Sequence, residues 1–139
     1  MTAQQERRTL EGGCLCGAIR YRINGPPRRG THCHCLHCRG SSGAAFVTWV
    51  ECQSADFTLL SGSPCRYDSR PQVTRQFCGR CGTPLTYQRA YEPEEIDVTA
   101  CSLDNPEAVL PADHLWSDRM LPWVKIADGL PRHRLGRQS

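Results

Sequence analysis

The chain lacks a run of about 18 apolar residues, the minimum for a membrane-spanning helix. Its opening, Met1 to Arg8, is mostly polar, and no apolar core of a secretory leader is expected there. No motif repeats at the 20–50-residue period of a solenoid or propeller, and no linker-like stretch divides the 139 residues. Lysine is nearly missing too: Lys125 stands alone among 17 basic residues. Long helical periodicities are also absent, which leaves few places for an α-helix.

Cysteine, by contrast, is abundant, with ten residues. Seven of them fall in three tight groups: Cys14-Leu15-Cys16-Gly17, Cys33-His34-Cys35-Leu36-His37-Cys38 and Cys78-Gly79-Arg80-Cys81-Gly82. Thiols this close, in a chain expected to sit in the reducing cytoplasm, read as metal ligands rather than a disulfide framework. The formal charge of +3 counts every thiol as neutral. Seven thiolates holding two divalent ions would bring it to about zero, so net charge gives a nucleic-acid partner little support. No membrane partner is expected.

The expected architecture is mainly β, in one domain over residues 10–132. Residues 1–9 are expected to be a flexible start and 133–139 a flexible tail. Leu10 to Ile23 reads as a hairpin interrupted by the first cysteine turn, with Ile19, Tyr21 and Ile23 alternating against Arg20 and Arg22. Further strands are expected at 45–50, 57–60, 73–77, 84–88 and 96–100, with a short one at 114–116. Helix is expected only as single turns at 41–45 and 105–109.

Cys14, Cys16, Cys78 and Cys81 together make a four-sulfur set, each pair on a turn between strands. Zinc takes four such ligands tetrahedrally at about 2.3 Å. The glycine after each second cysteine lets the backbone adopt positive φ and direct amides at sulfur. Cys33, Cys35 and Cys38 make a three-sulfur set reached from one loop, which leaves a fourth position for water, substrate or another side chain. His34 or His37 could fill it, or could point elsewhere. Cys52, Cys65 and Cys101 could also complete it, though each reads better as a small buried hydrophobe. Zinc with three thiolates is a weaker Lewis acid than zinc with three imidazoles, so capture of an external thiol is the chemistry this set favours.

The order Gly13-Cys-Leu-Cys-Gly17, Cys33-His-Cys-Leu-His-Cys-Arg39 and Phe77-Cys-Gly-Arg-Cys-Gly-Thr-Pro-Leu85 resembles the glutathione-dependent formaldehyde-activating enzyme family, which includes centromere protein V. Ala100-Cys-Ser-Leu-Asp104 with Pro106, and Trp123 to Pro131, resemble its C-terminal signature. The resemblance implies an Mss4-like fold of packed antiparallel sheets stapled by zinc. It implies two zinc ions: a structural one on Cys14, Cys16, Cys78 and Cys81, and a catalytic one on Cys33, Cys35 and Cys38. It further implies a carbon–sulfur lyase acting on S-hydroxymethylglutathione, the adduct of formaldehyde and glutathione. Arg39 could orient a substrate carboxylate or be a surface or structural arginine, and Phe46 and Trp49 could line a pocket, though strand aromatics more often pack in a core. The alternative is a non-catalytic zinc module that binds a protein partner.

Overall fold

A computed structural model of the chain describes residues 8–136. Ten strands among the described residues form two sheets. The smaller holds β1 (Thr9–Gly13), β2 (Arg20–Asn24) and β5 (Phe57–Ser61) in the order β1-β2-β5. The larger holds β3 (Arg29–Cys33), β4 (Val47–Gln53), β6 (Cys65–Arg70), β7 (Val73–Phe77), β8 (Pro84–Arg89), β9 (Glu95–Thr99) and β10 (Pro111–Leu115). Its order is β10-β3-β4-β9-β8-β7-β6. Every pairing is antiparallel except β10 on β3, which is parallel. No helix among the described residues is long and apolar enough to cross a membrane.

Strand period decides which residues meet between the sheets. Tyr21 and Ile23 of β2 are fully buried and pack with Val50 and Cys52 of β4, Ile96 and Val98 of β9 and Leu85 of β8. The opposite face of β4 carries Val47 and Trp49. These pack with Cys33 and Cys38 in a second, smaller cluster, with Tyr87 and Trp116 against it. The large sheet therefore has two working faces. One makes the core with the small sheet, and the other supports the three-cysteine loop.

The one α-helix among the described residues, α1 (Leu36–Ser42), is longer than the single turn expected at 41–45, and it begins five residues earlier. Its N-cap is Cys35, whose sulfur accepts a hydrogen bond from the Cys38 amide at 3.3 Å. Gly43 closes it at φ 69°. The 105–109 turn is a short 3-10 segment, Pro106–Ala108. Strands β3 and β6 were not anticipated. The first is built from Gly30, Thr31 and His32, and the second is exposed along nearly its whole length, so neither shows an apolar alternation.

Within the tail expected to be flexible at 133–139, backbone hydrogen bonds join the chain to β10 and Trp116. The His133 amide donates to the His114 carbonyl at 2.8 Å, and the Trp116 amide donates to Leu135 at 3.0 Å. His133 also pairs with Asp113 at 3.2 Å. The expected flexible start falls on residues 1–9, of which 1–7 lie outside the described residues, as do 137–139 of the tail.

Candidate metal centres and the adjoining cavity

The turn Cys14–Gly17 opens the β1–β2 connection, and the turn Cys78–Gly82 opens that between β7 and β8. Gly17 and Gly82 both sit at φ 82°, the conformation expected of them. Amides of Arg80 and Cys81 donate to Cys78 Sγ at 3.3 and 3.4 Å, and the Ile19 amide donates to Cys14 Sγ at 3.2 Å. The two turns meet: Cys16 Sγ is 3.8 Å from Cys78 Sγ and 3.6 Å from Cys14 Sγ. The four sulfurs of Cys14, Cys16, Cys78 and Cys81 lie within 4.8 Å of one another and could hold a metal ion. Hydrogen bonds from Thr83, through its hydroxyl and amide, draw the Cys81 thiol down to about 5. Cys16 goes the other way: the Ala18 amide lowers it, but burial and the neighbouring thiols push it up to about 11.

The second group is Cys33, Cys35 and Cys38, whose sulfurs also lie within 4.8 Å of one another. Cys33 ends β3, Cys35 caps α1 and Cys38 lies in its first turn, so strand end and helix start converge the three thiols. Hydrogen bonds from Cys33 and Cys38, helped by the Cys38 and His37 amides, draw Cys35 down to about 2. Hydrogen bonding to Cys35 and Cys38, with burial, pushes Cys33 far up. The Cys38 amide donates to Cys35 Sγ at 3.3 Å. Soft sulfur donors of this kind select thiophilic cations such as zinc.

No other cysteine or histidine joins this group among the described residues. His37 is exposed. His34 is fully buried, and its Nε2 meets His114 Nδ1 at 2.9 Å. His114 Nε2 in turn meets Asp128 Oδ2 at 2.8 Å. An ionised Asp128 accepts from His114 Nε2–H, which leaves His114 Nδ1 to accept from His34 Nε2–H. Burial, reinforced by neighbouring His114, draws His34 down to about 4 and keeps it neutral. His32, His114 and Asp128 form a third group whose donor atoms lie within 4.8 Å. Strand alternation puts His32 on the opposite face of β3 from Cys33.

Cys52 is buried, as expected, and its thiol donates to the Ile96 carbonyl at 3.3 Å. Cys65 and Cys101 are exposed, against the expectation of burial, because each sits on an edge or turn at the surface. Neither joins a sulfur group among the described residues.

A cavity of about 570 Å³ opens onto Cys33, Cys35 and Cys38, with Trp49, Arg75 and Tyr87 among its walls. Trp49 lies in the smaller core cluster and also lines this cavity. Phe46 instead packs against the His32 and His34 rings at 5.3 and 4.9 Å, and Arg39 does not line this cavity. Arg75 and Tyr87 were missed by sequence reasoning. The signal for Arg75 was present: in β7 it shares the phase of Val73 and Phe77, which puts it on a packed face.

Three comparisons bear on this geometry. The family described as "Glutathione-dependent formaldehyde-activating enzyme" matches residues 9–119. A Halomonas elongata protein named "Putative glutathione-dependent formaldehyde-activating enzyme" is 28% identical over 130 residues, covering 84% of this chain and 80% of that protein. A crystal structure of a Rhodobacter sphaeroides protein superposes with a TM-score of 0.58 at 25% identity, covering 70% of this chain and 92% of that one. With both cysteine turns of the four-sulfur group and the whole three-sulfur loop inside the matched span, the chain belongs to the glutathione-dependent formaldehyde-activating enzyme family.

Proposed function

We propose that this chain is a zinc-dependent carbon–sulfur lyase acting on a thiol–aldehyde adduct such as S-hydroxymethylglutathione. The observation that carries the reading is the three-sulfur group beside an open cavity, without a fourth cysteine or histidine joining it among the described residues. Cys14, Cys16, Cys78 and Cys81 would hold a structural zinc, and Cys33, Cys35 and Cys38 a second one. The second zinc would supply a soft cation that keeps an external thiol deprotonated below its ordinary pKa of about 8.5.

The rest is work for the chain. The loop from Cys33 to Cys38 places three sulfurs on one side of the cavity. Trp49 packs directly against Cys33 and Cys38, and Tyr87 stands beside it in the same wall. In the lyase direction the adduct's hydroxyl proton leaves, its carbon–oxygen bond becomes a carbonyl, and the carbon–sulfur electron pair returns to sulfur. In the reverse direction the thiolate adds to the aldehyde. Formaldehyde is intrinsically reactive, so holding the partners together supplies most of the acceleration. Ten free thiols suit a reducing compartment such as the cytoplasm.

Metal analysis with a paired assay tests this reading. The parent should carry two zinc ions per chain. Cys35→Ser should stay folded, lose one ion and lose turnover of the formaldehyde–glutathione adduct. Turnover that survives loss of that ion removes the lyase assignment. A cobalt-loaded parent whose spectrum ignores glutathione favours the protein-binding module instead.

A further inference from the structure

Arg75 is 7% exposed, yet its hydrogen-bond partners are not carboxylates. Its Nη1 donates to Ser41 Oγ at 3.2 Å, and its Nη2 points to Cys38 Sγ at 4.0 Å. Its Nε is buried with no hydrogen-bond partner among the described residues. The guanidinium lies over Tyr87 at 5.0 Å and near Trp49 at 5.9 Å from the ring centroids. It forms part of the wall between the cavity over the cysteines and a second one of about 590 Å³.

A buried cation needs a counter-charge, and aromatic faces offset its desolvation only in part. Of its two hydrogen-bond partners, Cys38 Sγ is the one that can carry negative charge; the carboxylates that line the same cavity, Glu51, Glu92, Glu94, Glu95 and Asp97, share it with Arg28, Arg29, Arg70 and Arg89. Three thiolates around a divalent cation carry a formal charge of about −1, and a fourth thiolate makes it about −2. That second negative charge, in a half-enclosed cavity, opposes entry of an external thiol. A fixed guanidinium beside Cys38 removes the opposition.

We propose that Arg75 is the positioning residue that admits a fourth thiolate to the three-cysteine site, acting on the substrate's sulfur and not on its carboxylates. This rests on the lyase reading for the presence of an external thiol. It adds a distinct claim about what governs that thiol's affinity. The charge requirement is set by sulfur alone, so any small thiol should feel it equally.

The test is calorimetric titration of zinc-loaded protein with glutathione and with 2-mercaptoethanol, which has no carboxylate. Arg75→Gln should lose on the order of tenfold in affinity for both thiols, while keeping two zinc ions and the parent circular dichroism. Arg75→Lys, which keeps the charge without the planar fork, should bind both within about threefold of the parent. Cobalt-substituted Arg75→Gln should need correspondingly more thiol to change its sulfur-to-metal absorption. Loss for glutathione alone means Arg75 reads a carboxylate and overturns the proposal. Parent-like binding by Arg75→Gln overturns it too, as does a tenfold loss in Arg75→Lys, which decides the matter even if Arg75→Gln does not fold. If the parent itself binds neither thiol, it is the lyase reading that fails.

Discussion

Cys16 and Cys78 stand 62 positions apart in sequence, and their sulfurs are 3.8 Å apart in space. Cys16 belongs to the small sheet's hairpin and Cys78 to the large sheet's. The four-sulfur group is therefore a clasp between the two layers and not an ornament on one of them. Leu15 reinforces it, donating its amide to Thr83 Oγ1 at 3.0 Å across the same junction.

Breaking the clasp should unfold the protein. Bound structural zinc contributes on the order of 10 kcal/mol in model fingers, comparable to the whole stability of a small domain. Cys81→Ser, or a strong chelator on the parent, should collapse the thermal transition followed by far-UV circular dichroism. Cys35→Ser should leave that transition in place. If Cys81→Ser melts like the parent, the clasp is not what joins the sheets.

The sulfur groups were legible because ligand spacing and glycine placement are local properties of the chain. Strands β1, β2, β4, β5, β7, β8 and β9 were legible as short runs between turn residues, β2 by its apolar alternation as well. Helix α1 was not, since its start depends on a thiol cap that no propensity scale scores. Strand β6 escaped because an exposed edge strand has no buried face to announce it. The His34–His114 contact spans 80 positions, and the Asp128 partner lies in irregular chain, so only tertiary structure could supply them. Cys65 and Cys101 show the limit of residue-type averages: cysteine is usually buried, and these two are at the surface.

Gly12 offers a test of how closely the small sheet meets the turn after β9. A Cβ there would collide with the Ser102 carbonyl and would stand 2.5 Å from Tyr21 Oη. The obstruction is partly backbone, which cannot swing aside as a long side chain can. Gly12→Ala should therefore cost about 1–3 kcal/mol, read as a lower urea midpoint with an unchanged slope. An unchanged midpoint would mean this junction is looser than described.

Tyr21 makes stability fall at alkaline pH. It is fully buried, and its hydroxyl lies 2.6 Å from Ser102 Oγ. Burial pushes it up to about 12, although the Ser102 hydrogen bond acts in the opposite direction. An unfolded tyrosine ionises near pH 10. Its contribution is thus fully present below about pH 10 and is lost as pH rises toward 12, amounting to about 2–3 kcal/mol. Urea unfolding of the parent and Tyr21→Phe at pH 9, 10 and 11 checks this. The parent should lose stability more steeply than the variant, and parallel profiles would refute the assignment.

The chain His34–His114–Asp128 should stiffen the three-cysteine loop from behind. His34 lies between Cys33 and Cys35, so whatever fixes its ring fixes the backbone that presents both sulfurs. His114 is fully buried and holds His34 on one nitrogen and Asp128 on the other. Replacing it with phenylalanine keeps ring volume and removes both hydrogen bonds, leaving His34 without its partner in a dry site. Outer partners of metal ligands typically change affinity by about 10–100-fold, and this one acts through an intervening residue, so the lower end applies. His114→Phe should weaken zinc retention at the three-cysteine site by about tenfold in a competitive chelator titration. The four-cysteine zinc should be held as in the parent, because His114 contacts none of its ligands. Equal weakening at both sites would point to general destabilisation, and no weakening at either would show that the loop holds its shape without the relay.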